Sequence, residues 1–438
     1  MTDVATDQPP QDVGSQRSIG DAIRSMEIDT RLLGMLAALL VIWVGFQIWS
    51  GGTFLSQRNL WNLTVQTSAV AIMATGMVLV IVSRNIDLSV GSMLAVVGMW
   101  MALLQAEILP DIIGFDSPWT WIITLAAGLI FGALIGAFQG AIIAYVGVPS
   151  FIVTLGGLLV WRGVAWAMAS GRTIAPMDNI FGRFGGGGGL DGTIGGGWSW
   201  IVGIIASAGI VFLLINGRRR RVRYGFKLRP KRADYVIGVI AVGTILGAVY
   251  YLNGYFLPER LAIREAEARG IAWPAEGLNI SLGFANPVLL AIVVALVMTF
   301  IATRLSFGRY IFAIGGNPEA AELAGIKTKM TTVKTFALMG VLVAIAAAVQ
   351  IARLDAAVSG LGQLTELYVI AAAVIGGTSL AGGIGTIPGA VLGALVMQSL
   401  QSGMVLVGVD APLQDIAVGV VLVLAVALDT FYRRRSAS

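Results

Sequence analysis

The sequence has no cysteine and no histidine, and only 12% of its residues are charged. Without cysteine there are no disulfides and no thiolate nucleophile, and without histidine there is no imidazole base. Together the two absences remove the usual ligand sets for zinc, copper and iron, so no metal site is expected. The low charge excludes a soluble globular domain, where roughly 25% is usual. A phosphate loop is missing too, since no Gly-x-x-x-x-Gly-Lys followed by Ser or Thr occurs anywhere in the chain.

What is present is apolar. Of the 438 residues, 57% are hydrophobic, and mean hydropathy is +0.84. At about 20 residues per bilayer crossing, the chain is an all-α polytopic membrane protein with short loops. Apolar runs near 32–50, 65–83, 88–106, 120–146, 151–169 and 199–215 are followed by others near 235–256, 286–304, 334–352, 366–381, 386–407 and 412–431. That makes about 12 transmembrane helices. Those near 88, 151 and 366 are short and carry Gly or charge, so breaks or partial crossings are expected there.

The chain divides into a polar N-terminal tail at 1–31, a transmembrane region at 32–432 and a basic tail at 433–438. The first tail has no apolar core and no cleavage signature, so it does not read as a signal peptide. Placing the amino terminus in the cytoplasm puts 21 of the 29 basic residues inside and seven outside, with Arg162 within a span. This asymmetry favours both termini inside and an even number of spans. It also accounts for the net charge of +5 without any nucleic-acid partner. The insertion at about 181–258 holds two spans, a glycine run at 185–189 that reads as a flexible outward loop, and a basic loop from Arg218 to Arg232 suited to topology or to membrane lipid.

Three segments carry more information. In Ala74–Met93 an apolar helix ends in Arg84, Asn85, Asp87 and Ser89 before another begins. Asp87 and Ser89 suit capping of the second helix, or the polar turn lines the mouth of a pathway. The segment 307–327 reads as a turn and a short amphipathic helix, with Asn317 as cap, Pro318 in the first turn, Glu319 at the positive end and Gly325 as terminator. A helix this short is marginal alone and must dock, on its own spans or on a partner. In Glu366–Ala390, closely spaced glycines suit tight packing, a helix break or a ligand site.

Together these segments resemble the permease family of bacterial sugar ABC importers, the branch serving ribose, xylose and galactose. The amino half matches through Gly76–Ser83, Ile86–Ser92, Val148–Gly156 and Arg162–Gly163, and the carboxy half through Phe307–Arg309, Ala313–Ala321, Ala324–Ile326 and Ile375–Gly383. The inserted pair of spans is most similar to the xylose type. One departure stands at Tyr368, where family members often have Asp.

The resemblance implies a non-catalytic permease subunit of an ATP-driven importer in the bacterial inner membrane, taking xylose or a related monosaccharide from a periplasmic sugar-binding protein. It implies a homodimer and a cytoplasmic ABC ATPase subunit, which would hold the ATP and Mg that this chain lacks the means to bind. It also places the ATPase-coupling loop at about 305–333, with Gly315, Gly316, Asn317, Pro318, Glu319, Ala320, Ala321 and Gly325 at its centre. Polar residues within otherwise apolar stretches nominate Asn85, Asp87, Ser89, Thr154, Thr378 and Ser379 for the translocation pathway. The alternative is an ion-coupled secondary carrier for a small polar solute, which needs carboxylates near the bilayer midplane. Asp87, Asp355, Glu366 and Asp429 all fall near span ends instead. A membrane enzyme would have to work without His, Cys or paired carboxylates inside a span.

Overall fold

A computed structural model describes residues 30–437, apart from 115–116, 188, 227, 229, 269, 271 and 275–276. The polar tail up to residue 29 therefore lies outside the described residues, as do the side chains of the basic tail at 433–438. The described chain is helical throughout, with three isolated β-bridges and no strand among the described residues.

The principal helices are α1 (Thr30–Trp49), α2 (Gln57–Val82), α3 (Val90–Leu103), α4 (Thr120–Ala141), α5 (Ser150–Ala169), α6 (Gly195–Arg223) and α7 (Lys231–Asn253). There follow α8 (Asn286–Arg304), α9 (Ser306–Gly316), α10 (Pro318–Leu323), α11 (Thr328–Leu354), α12 (Thr365–Ile375), α13 (Ile387–Leu406) and α14 (Ala411–Ala437). Ten helical stretches are long and apolar enough to cross a bilayer, and two more, Thr365–Ile375 and Ala411–Ala427, are shorter. The expected twelve thus become ten plus two.

Of the three stretches expected to be short or broken, one is. Helix α3 runs on through a π-helical turn at Leu104–Ile108 to Ile113, and α5 is a continuous 20-residue helix. Helix α12 stops at Ile375, because Gly376 and Gly377 turn the chain, and Gly377 adopts a positive φ of 88°. The glycine run expected to be a flexible outward loop is packed at its start, at Gly185 and Gly186. Gly185 is buried against the backbone of Ala352 and Arg353, where a Cβ would lie 2.2 Å from the Arg353 nitrogen.

Helix α2 is the axis of the bundle. It is buried from Ala69 through Val82 and packs on α8, α11, α12 and α13, as its apolar side chains on all faces require. Around it, α4 meets α11 through Gly132, Gly136 and Gly140, spaced four residues apart on one face. A Cβ at Gly136 would lie 2.1 Å from the Phe336 carbonyl oxygen, so the two backbones touch directly.

Because the long helices alternate in direction, the turns gather at two ends. One end collects 83–89, 147–149, 305–327 and 376–386: Ser150 Oγ accepts from the Ile86 N–H at 3.2 Å, and Gly383 N–H donates to the Val82 carbonyl at 2.9 Å. At the other end Trp61 Nε1 donates to the Gly283 carbonyl at 2.8 Å, and Ile174 pairs with Ala357 across a β-bridge. These are called below the loop end and the cavity end.

Candidate translocation pathway and coupling surface

The three informative segments are far apart in sequence and meet at the loop end. Arg84 adopts a left-handed backbone (φ 63°) just after α2, which throws its side chain across to the last turn of α9. There its Nε donates to the Gly315 carbonyl and its Nη2 to the Gly316 carbonyl, each at 2.7 Å. A helix C-terminus offers unsatisfied carbonyls, and a guanidinium is a suitable cap for them. Gly315 itself is pressed so close that a Cβ would lie 1.8 Å from the Val82 oxygen and 2.6 Å from the Gly383 nitrogen. The 82–84, 315–316 and 382–383 segments thus form one clasp of backbone and guanidinium.

Beyond the clasp, Asn317 Oδ1 accepts from the Ala320 N–H at 3.0 Å, Pro318 occupies the first position of α10, and Gly325 ends the segment with φ 83°. Glu319, Ala320, Glu322, Leu323 and Ala324 are exposed, and Ala321 faces inward. The most exposed large apolar side chain in this loop is Leu323, at 91%. The spans of this chain leave it uncovered.

The six polar residues nominated for a pathway also lie at the loop end. Asp87 Oδ1 accepts from the Ser89 N–H at 2.9 Å and from the Ser89 hydroxyl at 2.6 Å, and so holds the turn into α3. Ser89 itself makes no side-chain cap, although it begins the helix. Its hydroxyl is also 3.0 Å from Gln139 Oε1. The Thr154 hydroxyl donates to the Ser150 carbonyl at 2.9 Å, and Asn85 Nδ2 donates to the Ser83 carbonyl at 3.1 Å. Thr378 and Ser379 are fully buried, and their hydroxyls find no hydrogen-bond partner among the described residues.

Burial pushes the Asp87 carboxyl up to about 6, against the opposing effect of the two bonds from Ser89. Below about pH 4 the group is neutral whether the chain is folded or not. Between 4 and 6 the folded chain keeps a proton that the unfolded chain has lost, so stability falls as pH rises and levels off above 6. The span of about two units corresponds to an upper limit of about 3 kcal/mol. Asp87→Asn should therefore raise the apparent melting temperature in detergent at pH 7.5 by several degrees, with a much smaller gain at pH 4.5. An equal gain at both would show that Asp87 carries no such proton.

None of those six residues lines the polar cavity at the other end. It has a volume of about 360 Å³. Asn59, Asn62 and Gln66 enter it from α2, Gln350 and Arg353 from α11, and Gln398, Gln401 and Ser402 from α13, with Thr365 and Tyr368 on α12. Gln398 Nε2 is 3.2 Å from Gln66 Oε1 and 2.9 Å from Gln401 Oε1, and so joins α13 to α2. No carboxylate stands among the lining residues. The nearby Glu366 is buried outside the lining and faces the charge of Arg162, whose Nη1 donates to the Ser359 and Leu361 carbonyls at 2.8 and 2.6 Å.

These cavity residues were missed in the sequence, although a signal was present. Asn59, Asn62 and Gln66, and likewise Gln398, Gln401 and Ser402, recur at three- and four-residue spacings, which set each trio on one face of its helix. Tyr368, the one departure from the family pattern, stands on the cavity wall.

A bundle of apolar helices with a polar cavity at one end and an exposed helical loop at the other is a multi-pass membrane permease. The chain belongs to the family described as branched-chain amino acid transport system / permease component, which it matches over residues 59–229 and 198–426. It is 38% identical over 411 residues to the xylose transport system permease protein XylH of Escherichia coli K12, covering 93% of this chain and 94% of that one. To its counterpart in Haemophilus influenzae the identity is 39% over 406 residues, with 92% and 96% covered. The ribose import permease protein RbsC of Escherichia coli K12 is 31% identical over 394 residues, with 90% and 92% covered. No solved structure matches the chain.

Proposed function

We propose that this chain is the membrane permease subunit of an ATP-driven monosaccharide importer in the bacterial inner membrane, with xylose the leading substrate. It acts as a homodimer, receives sugar from a periplasmic binding protein at the cavity end, and docks a cytoplasmic ABC ATPase at the loop end. Both termini are then cytoplasmic. ATP and Mg belong to that partner subunit, and the permease makes and breaks no covalent bond.

The observation that carries this reading is the cavity at the outer end. Amides and hydroxyls both donate and accept, as sugar hydroxyls do, and those of the lining, with the Arg353 guanidinium as a further donor, match a polyol without holding it tightly. A pathway must release what it admits. The ion-coupled carrier needs a titratable or ion-ligating carboxylate in the pathway, and the cavity lining offers none.

At the inner end, Asp87, Ser89, Thr154, Thr378, Ser379 and Asn85 continue the pathway when the bundle opens toward the cytoplasm. The unpartnered hydroxyls of Thr378 and Ser379 support this, because a buried polar group without a partner favours a state that supplies one.

The test is reconstitution in proteoliposomes with the cognate ATPase and binding protein, following labelled xylose uptake with and without internal ATP. Uptake that needs ATP and all three components bears the reading out. Uptake by the chain alone, driven by an ion gradient, overturns it. In the same vesicles Gln398→Leu removes the amide bond from α13 to Gln66 of α2 and the bond to Gln401 within α13, and uptake should fall on the order of 10-fold while the ATPase still co-purifies.

A further inference from the structure

The inserted hairpin of α6 and α7 has a feature that neither transport nor packing uses. Its two helices lie against one another, with Val249 of α7 filling the place of a Cβ at Gly203, and most of their remaining surface is exposed and apolar. The 20 residues Trp198–Gly217 of α6 carry no charge, which is the length of one bilayer crossing. The helix does not stop there. It continues without a break through Arg218–Arg223, so those arginines stand at headgroup level. Exposed Tyr224, Phe226 and Tyr235 accompany them at this end, and Trp198 and Trp200 mark the other, as residues at the two membrane interfaces do.

Between the helices at the basic end is a notch of about 220 Å³. Its floor is Leu213, Leu214 and Gly217, and its rim is Arg218, Arg221 and Leu228. Asp234 pairs with Arg218 at 2.5 Å, which orients that guanidinium and cancels the single acidic charge of the tip. Of the nine basic residues between 218 and 232 in the sequence, eight are left in excess once Arg218 is set against Asp234. Loop charge alone would set orientation. It would not require an apolar floor beneath a guanidinium rim, and that combination has the shape of a phospholipid: phosphate above, acyl chain below.

We propose that the tip of the α6–α7 hairpin binds an anionic phospholipid, its phosphate at Arg221 on the rim, with the exposed Arg219 and Arg220 of the same helical turn adding positive charge beside it, and an acyl chain along Leu213 and Leu214. Charge decides for a lipid over a second copy of this chain, because two such tips repel. The site does not depend on which solute is transported.

The chain's lack of cysteine makes Leu228→Cys a unique label at the notch. The full chain is placed in nanodiscs of phosphatidylcholine alone or with phosphatidylglycerol, and the modification rate with a water-soluble maleimide is compared. Lipid retained after extraction into detergent is counted by native mass spectrometry. Phosphatidylglycerol should slow labelling and be retained in preference to phosphatidylcholine. At roughly fivefold per basic residue, Arg219→Gln/Arg220→Gln/Arg221→Gln should cut its retention on the order of 100-fold. Arg304→Gln/Arg309→Gln, which removes two positive charges elsewhere at the loop end, should leave it intact. Retention in detergent does not depend on orientation, so an inverted topology of the triple variant would not obscure the result. Equal retention of both lipids, equal losses in the two variants, displacement by inorganic phosphate, or tip-dependent pairing of two chains in place of lipid would each overturn the proposal.

Discussion

Gly315→Leu should abolish uptake, to below roughly a hundredth of the parent, while the spans still assemble. At this position even a Cβ would stand 1.8 Å from the Val82 oxygen and 2.6 Å from the Gly383 nitrogen, both of them backbone atoms at the ends of other elements. Backbone cannot rotate out of the way as a side chain can, so α9 must retreat by more than an ångström. That retreat pulls the Gly315 and Gly316 carbonyls off the Arg84 guanidinium and swings α10 with them. Misplacement on this scale costs a working contact about two orders of magnitude. Gly315→Ala carries the same clash without the larger side chain and should fall between the two. The measurement is ATP-dependent uptake in proteoliposomes, with monodispersity on gel filtration as the control for assembly. Uptake near the parent level in Gly315→Leu would mean that the clasp is not what fixes α9.

Much of the fold was legible because a membrane imposes it. Length of apolar run and glycine breaks are local properties, and they located the helices, with ends displaced by up to eight residues at the start of α2 and the end of α6. Asn317, Pro318 and Gly325 act where a turn and short helix need them, because capping depends on residues three or four positions apart. Partners distant in sequence were not legible. Nothing local connects Arg84 with Gly316, or Gln66 with Gln398, 332 residues further on. The glycine run at 185–189 shows the same limit from the other side. A run of glycines reads alike whether it is solvated or pressed against a backbone, and only the approach of Arg353 decides which. At α12 the glycines were themselves the signal: the run near 366 was expected to break, and it stops at Gly376 and Gly377.

The six polar residues nominated from sequence and the cavity amides share one feature, polarity within apolar surroundings, and differ in placement. Five of the first group are buried at the loop end, within their own hydrogen bonds or without any, and Asn85 is half-buried beside them. The second is open to a 360 Å³ space at the cavity end. A pathway that alternates between two open states requires such a difference at any one moment, with one end loose and polar and the other closed. On the proposed reading, the clasp at Gly315 lies beside the closed end, where a push on α10 would be felt first.

Leu323→Glu should separate the permease from its ATPase without disturbing the permease itself. The side chain is 91% exposed on a six-residue helix that Asn317 caps and Gly325 ends, so nothing in the chain depends on it. Its replacement should leave the melting temperature unchanged within the small range usual for surface sites. Docking is another matter. Burying a leucine against a partner contributes about 1.5–3 kcal/mol, and a carboxylate in the same place adds an unpaired charge beside Glu319 and Glu322. Co-purified ATPase should therefore drop at least roughly 10-fold, and uptake with it, with excess ATPase partly restoring both. Leu323→Ala, which loses the contact but adds no charge, should fall in between. A variant that keeps its ATPase and still loses uptake would place Leu323 in the transmission of the stroke. One that keeps both would leave the docking surface to be found elsewhere on the 305–327 loop.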